Sequence, residues 1–282
     1  MPGCDSGLRV NHAAGRPCCP GRAIRHEFYA PGRQAAMDAT PLLTDKGSSP
    51  MDNRPSFLSL MNIKNARRAL KEEGYLLIEN GYSLDLCQSI IQFIDDYKDN
   101  DKSETNYAGT ELRIWDAHKL DCLLYNFYEE CNLFMSCLLG ADTEAFTLLA
   151  IRNKALDLTD EESTQSRWHL DSLRKQLKIF LFLSDTTELS GPFEFIPKTY
   201  TTWFKAQMLC KGSYLRVSDI WSGKRAYAQL DDTVVNELSA KGYNPMPVIC
   251  QAGAIMVIDT SAIHRARPCH HGTRYALTTY YR

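Results

Sequence analysis

The order of hydrophobic and polar residues predicts a helical first part and a β-rich second part. Apolar residues recur at helical spacing over 58–73, 84–97 and 121–139, and the first segment contains the good helix formers of NARRALKEE. Gly74 ends that helix, and a short strand is predicted at 75–78 before the turn Asn80-Gly81. Two later segments, 201–209 and 232–240, are also predicted to be helical.

After Gly140 the chain consists of short apolar segments separated by turn residues such as Gly191-Pro192, Gly253 and Gly272. We predict strands at 146–153, 167–171, 177–184, 192–196, 248–251, 254–259, 263–267 and 273–281. Helices followed by many short strands favour a two-sheet β structure with helices packed outside it. The predicted fold is therefore mainly β with flanking α-helices, built on a double-stranded β-helix, or jelly-roll, core of the cupin kind.

Composition divides the chain into a leader and one domain. Residues 1–52 have no apolar period and are rich in Gly, Pro, Arg and Cys, so we predict a disordered leader. A single domain is predicted over 53–282, helical to about residue 140 and then a jelly-roll core over 141–282. Residues 212–244 form a long insertion in that core, either a lid or a solvated loop. The Arg-rich leader weakly resembles an organelle transit peptide, so import is the alternative to a predicted cytoplasmic location.

Charge and hydropathy exclude several classes of partner. The chain has 32 Lys and Arg against 34 Asp and Glu, with no basic stripe, so no nucleic-acid partner is predicted. No apolar segment reaches the roughly 20 residues that span a bilayer. The ten cysteines show no CxxC pair, which favours free thiols over a thiolate zinc site. We predict a small-molecule partner, and the sequence leaves the oligomeric state open.

The candidate chemistry begins with His169 and Asp171. In a strand, residues two apart point to one face, so an imidazole and a carboxylate can reach the same point while Leu170 points into a sheet interface. This pair alone is a weak indication, because a surface His-Asp pair has the same spacing. His264, which ends GAIMVIDTSAIH, is the predicted third ligand. Two His and one carboxylate leave three positions open on an octahedral Fe(II).

The segments WHLD, LKIFLFLSD, GPFEFIP, GAIMVIDTSAIHRARP and RYAL, taken in order, resemble the phytanoyl-CoA dioxygenase family of Fe(II)/2-oxoglutarate oxygenases. The likeness covers residues 56–282 and is strongest over 167–198 and 253–282. It implies a double-stranded β-helix in which His169, Asp171 and His264 bind Fe(II) as the catalytic centre. Arg274 would anchor the cosubstrate 2-oxoglutarate, and O2 would be the oxidant. A guanidinium suits this task because its planar fork matches a carboxylate.

Weaker expectations surround this centre. Thr278, predicted on the same face as Arg274 and Ala276, is a candidate cosubstrate contact. Arg152 is another, since its strand is expected to run beside the strand of His169. The candidate substrate contacts are Asn153, which follows Arg152, and three residues of a predicted polar loop, Tyr107, Arg113 and Trp115. His270 and His271 adjoin Gly272 and are expected in a surface turn.

The resemblance implies oxidation of an aliphatic C–H bond of a small molecule, most simply hydroxylation, in specialised metabolism. Lys198-Thr199-Tyr200 stands where many relatives have Gly-Ser-His, so an acyl-CoA or lipid substrate is the second choice. Two other classes stay open. One is a cupin-like metal dioxygenase without 2-oxoglutarate, against which Arg274 argues, and the other is a non-catalytic β-sandwich binding module. Halogenating relatives have Gly or Ala at the position of Asp171, so halogenation is disfavoured.

Overall fold

The computed structural model describes residues 62–97, 103–106, 110–155, 167–210 and 229–281. The predicted leader and the first part of the predicted insertion, 212–228, lie outside the described residues. No helix in the described ranges has the length and hydrophobicity that crossing a bilayer requires.

Three helices form a layer on one side of the main sheet, and all three match predicted helices. Side chains of Asn62, Ser83 and Asp121 begin them by accepting amide hydrogen bonds from the first turn. Their apolar faces pack together with one face of the sheet in a single core cluster. The helices are α1 (Ile63–Glu72), α2 (Leu84–Asp96) and α3 (Cys122–Leu139).

The larger sheet is antiparallel and has seven strands in the order β1-β8-β5-β10-β4-β3-β2. The smaller sheet has the order β7-β6-β9. Aromatic and aliphatic side chains from both sheets form a shared core, so the sheets pack face to face as in a jelly roll. The strands are β1 (Tyr75–Ile78), β2 (Ser103–Asn106), β3 (Glu111–Ile114), β4 (Leu148–Lys154), β5 (Leu177–Phe182), β6 (Phe193–Phe195), β7 (Met246–Pro247), β8 (Ile255–Asp259), β9 (His264–Ala266) and β10 (Thr273–Tyr281).

Alternation along β10 separates a cavity-lining face from a helix-packing face. Arg274, Ala276 and Thr278 line the space between the sheets, which confirms that they share a face. Leu277 and Tyr281, at odd positions, belong instead to the core cluster shared with the helices. The same strand therefore serves both the core and the cavity.

A second group of helices packs against segments that flank the smaller sheet. It consists of α4 (Thr202–Cys210) and α5 (Asp232–Ser239), both predicted. Trp168 and Leu170, each 2% exposed, pack against these helices, so Leu170 is buried but not in the sheet interface that the sequence predicted. Gly191 has φ of 72°, and a Cβ there would lie 2.5 Å from the carbonyl oxygen of Arg267, so the GPFEFIP turn requires glycine.

Several predictions about strands are corrected. The segment predicted as a polar loop contains β2 and β3, because polar side chains on these strands meet polar partners on neighbouring strands. Residues 167–171 form no regular strand, and only Trp168 and His169 make isolated bridges. No regular strand forms over the predicted range 248–251. The short strand β7 comes just before this range, and within it Cys250 makes an isolated bridge to Thr186.

Candidate metal and cosubstrate site

His169, Asp171 and His264 come together in the lining of the cavity between the two sheets. Their ligand atoms all lie within 4.8 Å of one another. Asp171 Oδ1 is 3.9 Å from His169 Nε2, and Asp171 Oδ2 is 3.6 Å from His264 Nε2. Donors about 2.1 Å from one ion and at right angles lie about 3 Å apart, so small side-chain adjustments suffice for a shared ion.

The backbone fixes the two histidines relative to each other. His169 N–H donates to the carbonyl oxygen of His264, and His264 N–H donates to that of His169, both at 2.9 Å. The amide of Asp171 donates to Thr260 O at 3.2 Å. The spacing of the three ligands therefore depends on main-chain hydrogen bonds, although they are far apart in sequence.

Both imidazoles are arranged as neutral metal ligands. Each Nδ1 lies 2.9 Å from a backbone carbonyl oxygen, Arg167 O for His169 and Ala262 O for His264. A proton on Nδ1 satisfies that carbonyl and leaves the lone pair of Nε2 facing Asp171. Burial, together with repulsion from His169, lowers the pKa of His264 to about 3, and burial also lowers the pKa of His169. Metal binding requires this neutral form.

Asp171 is ionised and paired with a buried lysine. Burial by itself would raise its pKa, but the nearby ammonium of Lys178, with smaller contributions from His264 and Thr260, outweighs burial and holds the pKa of Asp171 below its usual range. Asp171 Oδ2 forms an ion pair with Lys178 Nζ at 2.6 Å. The carboxylate also lies beside two neutral imidazoles, so a metal ion there would be within reach of all three donors.

Arg274 and Thr278, the two predicted cosubstrate contacts on β10, both line the cavity. Arg274 is 8% exposed; its Nη2 donates to Asn153 Oδ1 at 3.0 Å, whereas Nη1 has no partner in the described chain. The buried Thr278 Oγ1 is likewise without a partner there. Asn153 in turn donates to Glu111 at 3.0 Å, so adjacent strands β10, β4 and β3 hold Arg274 in place. These two unsatisfied groups fit a bound carboxylate.

This cavity has a volume of about 370 Å³, within the range of small-ligand sites. Its apolar wall contains Phe180, Phe182 and Phe193, and Phe193 also packs 5.4 Å from the His264 ring. Gln229, which lies within the predicted insertion, lines it as well. The cavity thus places apolar surface next to the ligand triad and polar groups at its far end.

The other predicted contacts divide into two groups. Asn153, Arg113 and Trp115 line the cavity, although Arg113 lies on β3 and not in a loop. Tyr107 lies outside the described residues. Arg152 does not reach the cavity: β4 pairs with β10 and β3 and not with the His169 segment, and Arg152 Nη1 binds Asp95 of α2 at 2.7 Å. His270 and His271 are exposed, as predicted.

Sequence reasoning missed Lys178 and Glu111. Lys178 is 7% exposed, and the pKa of this ammonium is raised: burial lowers it, but Tyr280 and Asp171 outweigh burial. A lysine inside the apolar strand LKIFLFL is the feature that could have identified it, since lysine is rarely buried without a partner. Glu111 had no comparable indication, because its role depends on a strand that the sequence did not predict.

Solved structures share this fold. The epimerase SnoN from nogalamycin biosynthesis matches with a TM-score of 0.56 at 14% identity, over 78% of this chain and 82% of that one. The carbocyclase SnoK from the same biosynthesis gives 0.54 at 16% identity, over 80% and 85%. EctD from S. alaskensis, solved with bound Fe, gives 0.56 at 16% identity, over 83% and 79%.

SnoN and SnoK are described as non-haem enzymes dependent on alpha-ketoglutarate, which is 2-oxoglutarate. At these identities the likeness shows the fold, a jelly roll shared with such enzymes, and so confirms the predicted fold class. Comparisons with family models and with curated proteins give no match. The phytanoyl-CoA dioxygenase resemblance therefore stays a prediction at the level of the family.

Proposed function

We propose that this chain is a 2-oxoglutarate-dependent non-haem iron oxygenase that oxidises an aliphatic C–H bond of a small molecule. The observation that carries the proposal is a set of complementary groups in one cavity. Asp171 lies within ligand distance of two neutral imidazoles, and at the far end Arg274 Nη1 and Thr278 Oγ1 have no hydrogen-bond partner among the described residues. The first group would hold one ferrous ion, and one 2-oxoglutarate would satisfy the second.

Each residue has a physical role in this proposal. His169, Asp171 and His264 would hold the iron on one face and leave three positions open. The guanidinium of Arg274, aligned by Asn153, would bind the far carboxylate of 2-oxoglutarate, and the Thr278 hydroxyl would donate to the same group. When bound, iron and 2-oxoglutarate supply the oxidising chemistry by activating O2, with succinate and CO2 as the cosubstrate products.

The remaining cavity residues would orient the substrate and exclude water. Phe180, Phe182 and Phe193 offer an apolar wall close to the triad, which suits an aliphatic group. Hydroxylation is the proposed outcome, in specialised metabolism, and the fold likeness to an epimerase and a carbocyclase keeps other outcomes of C–H oxidation in view. An acyl-CoA or lipid substrate is the second choice.

Anaerobic addition of Fe(II) and 2-oxoglutarate tests the proposal. We expect a visible charge-transfer band from the complex, followed by succinate formation when air is admitted. A metal dioxygenase that does not use 2-oxoglutarate would form neither, although it would bind metal. A binding module without a metal site would bind no Fe(II) at all, and either result would refute the proposal.

A further inference from the structure

Lys178 is a buried cation in the cavity that the proposed function does not use. It is the second residue of β5, and its Nζ lies 2.6 Å from Asp171 Oδ2. The same Nζ lies 4.2 Å from the centre of the Tyr280 ring, which provides a cation–π contact. Because a lysine is seldom buried without a counter-charge, its partner in the metal-loaded protein determines what the cavity can bind.

The single negative charge of Asp171 cannot neutralise both Lys178 and a metal ion. Once its carboxylate ligates a divalent ion, most of its negative charge is taken up there. The ammonium then lies buried beside a second positive charge, and the side chain of Tyr280, through its ring and a hydrogen bond, is its remaining favourable contact among the described residues. A buried charge without a counter-charge is strongly unfavourable, so an anion that enters the cavity would be drawn to Lys178.

The net charge of the side chains around the cavity indicates what charge an anion bound at Lys178 carries. Among the described residues that line it, the positive side chains are Arg113, Lys178 and Arg274, and the acid is Asp171. Arg113 pairs with Glu111 at 2.5 Å, so the other three leave one positive charge. A divalent metal ion and dianionic 2-oxoglutarate cancel each other. A third ligand with a single negative charge therefore completes the balance.

We propose that the substrate is a small carboxylic acid whose carboxylate binds Lys178, which makes Lys178 a specificity-determining residue. This inference rests on the proposed function, because it requires the metal and the cosubstrate. A carboxylate matches the one remaining positive charge, whereas a phosphate monoester carries up to two negative charges at neutral pH. The aliphatic part of the acid then packs against Phe180, Phe182 and Phe193 beside the ligand triad.

Calorimetric titration of the anaerobic Fe(II)–2-oxoglutarate complex tests this inference. The probes are the straight-chain acids from butanoate to octanoate, the primary amide of each acid, and the matching alkyl phosphates. We expect at least one acid to bind about tenfold or more tightly than its amide, because the amide cannot form the charge-assisted contact. Lys178→Met abolishes this preference and Lys178→Arg retains it.

Lys205→Met is the matched control. Lys205 is also buried, but its Nζ donates to Ser261 Oγ at 2.6 Å and does not line the cavity, so the acid preference survives there. Circular dichroism checks that each variant is folded, and Lys178→Gln replaces Lys178→Met if the latter does not fold.

Three results overturn the inference: acids that bind no more tightly than their amides, phosphates that bind more tightly than acids, or an acid preference that persists without Lys178. The charge-transfer band separates the two levels of the proposal. If the band does not form in the unmodified protein, the proposed function fails and this inference with it. If the band forms but no acid preference is found, this inference alone fails.

Discussion

The two faces of the seven-stranded sheet differ in role: one packs against the helices in the apolar core, and the other lines the cavity. On the face toward the helices, Ile179 and Leu181 of β5 and Leu277 of β10 are fully buried in an apolar cluster. The alternate positions of the same strands point toward the smaller sheet and line the cavity. They are Lys178 on β5, and Arg274 and Thr278 on β10. One residue of displacement along a strand separates the core from the cavity.

This difference shows where the protein sacrifices stability for binding. A buried polar atom without a partner costs about 1–3 kcal/mol, and two such atoms among the described residues line the cavity: Arg274 Nη1 and Thr278 Oγ1. The helix-facing residues of β5 and β10 supply the apolar packing that offsets this cost. Substitutions on the cavity face should therefore change ligand binding, and those on the helix face should change folding.

His169→Ala should give the largest effect on binding. We expect Fe(II) affinity to fall by more than about 100-fold, since loss of a mere hydrogen-bond partner of a metal ligand costs about 10–100-fold. Turnover should be abolished, while the thermal midpoint of the metal-free protein changes little. Anaerobic calorimetry with Fe(II) and a thermal melt measure the two quantities. Normal iron affinity in this variant would refute the ligand assignment.

Leu277→Ala should have the reverse effect. Leu277 is 0% exposed, so the substitution should lower the free energy of unfolding by about 2–5 kcal/mol. The affinity of the folded protein for 2-oxoglutarate should stay within about twofold, because Leu277 faces the helices. Denaturant titration gives the stability, and Leu189→Ala, at an exposed leucine, should change it by less than about 0.5 kcal/mol. An equally small loss at Leu277 would contradict the division between the faces.

Arg274→Ala should weaken 2-oxoglutarate binding by about 10–100-fold, the value of charge-assisted hydrogen bonds. Arg274→Lys should recover only part of this loss, since an ammonium lacks the planar fork. Arg152→Gln, one position from Asn153 but on the helix face, should lower stability through the lost contact with Asp95 and leave cosubstrate affinity unchanged. Calorimetry on the anaerobic Fe(II) protein measures all three, and unchanged affinity in Arg274→Ala would mean that another cation anchors the cosubstrate.

Thr278→Val should have the smallest and most distinctive effect. It removes a buried hydroxyl without a partner and keeps the shape, so the ligand-free protein should become more stable by about 1 kcal/mol. The affinity for 2-oxoglutarate should fall by a few fold, because the hydroxyl is no longer there to donate. Denaturant titration without ligand tests the expected gain in stability, and calorimetry tests the expected loss of affinity for 2-oxoglutarate. A loss of both stability and affinity would assign Thr278 to the core.

Local sequence patterns were sufficient to locate the helices and most of the core strands. Periodicity located α2 and α3 closely, and continuous apolar segments located β5 and β8, because burial on both faces leaves that pattern. Strands β2 and β3 were missed because charged residues interrupt their alternation. Those charges are satisfied by partners on other strands, such as Glu111 by Asn153, and such pairing does not appear in a local pattern.

Residues of the site were predicted correctly where their spacing and their chemistry agreed. The prediction was wrong where it depended on which strands are neighbours. His169, Asp171 and His264 converge, and Arg274 shares its face with Thr278. Arg152 was assigned to the cavity on the assumption that β4 adjoins the His169 segment, whereas β10 and β3 are its neighbours. Which strands are neighbours is set by long-range pairing, and a shift of one residue exchanges the two faces.

The reciprocal amide bonds between His169 and His264 also bear on how this cavity can diversify. Because main-chain atoms set the distance between the two imidazoles, replacements at Phe180, Phe182 or Gln229 can reshape the chamber without displacing the ligands. If the proposed function holds, new substrate preferences can therefore arise on this scaffold by exchange of wall residues alone, and the three proposed metal ligands would need no compensating change.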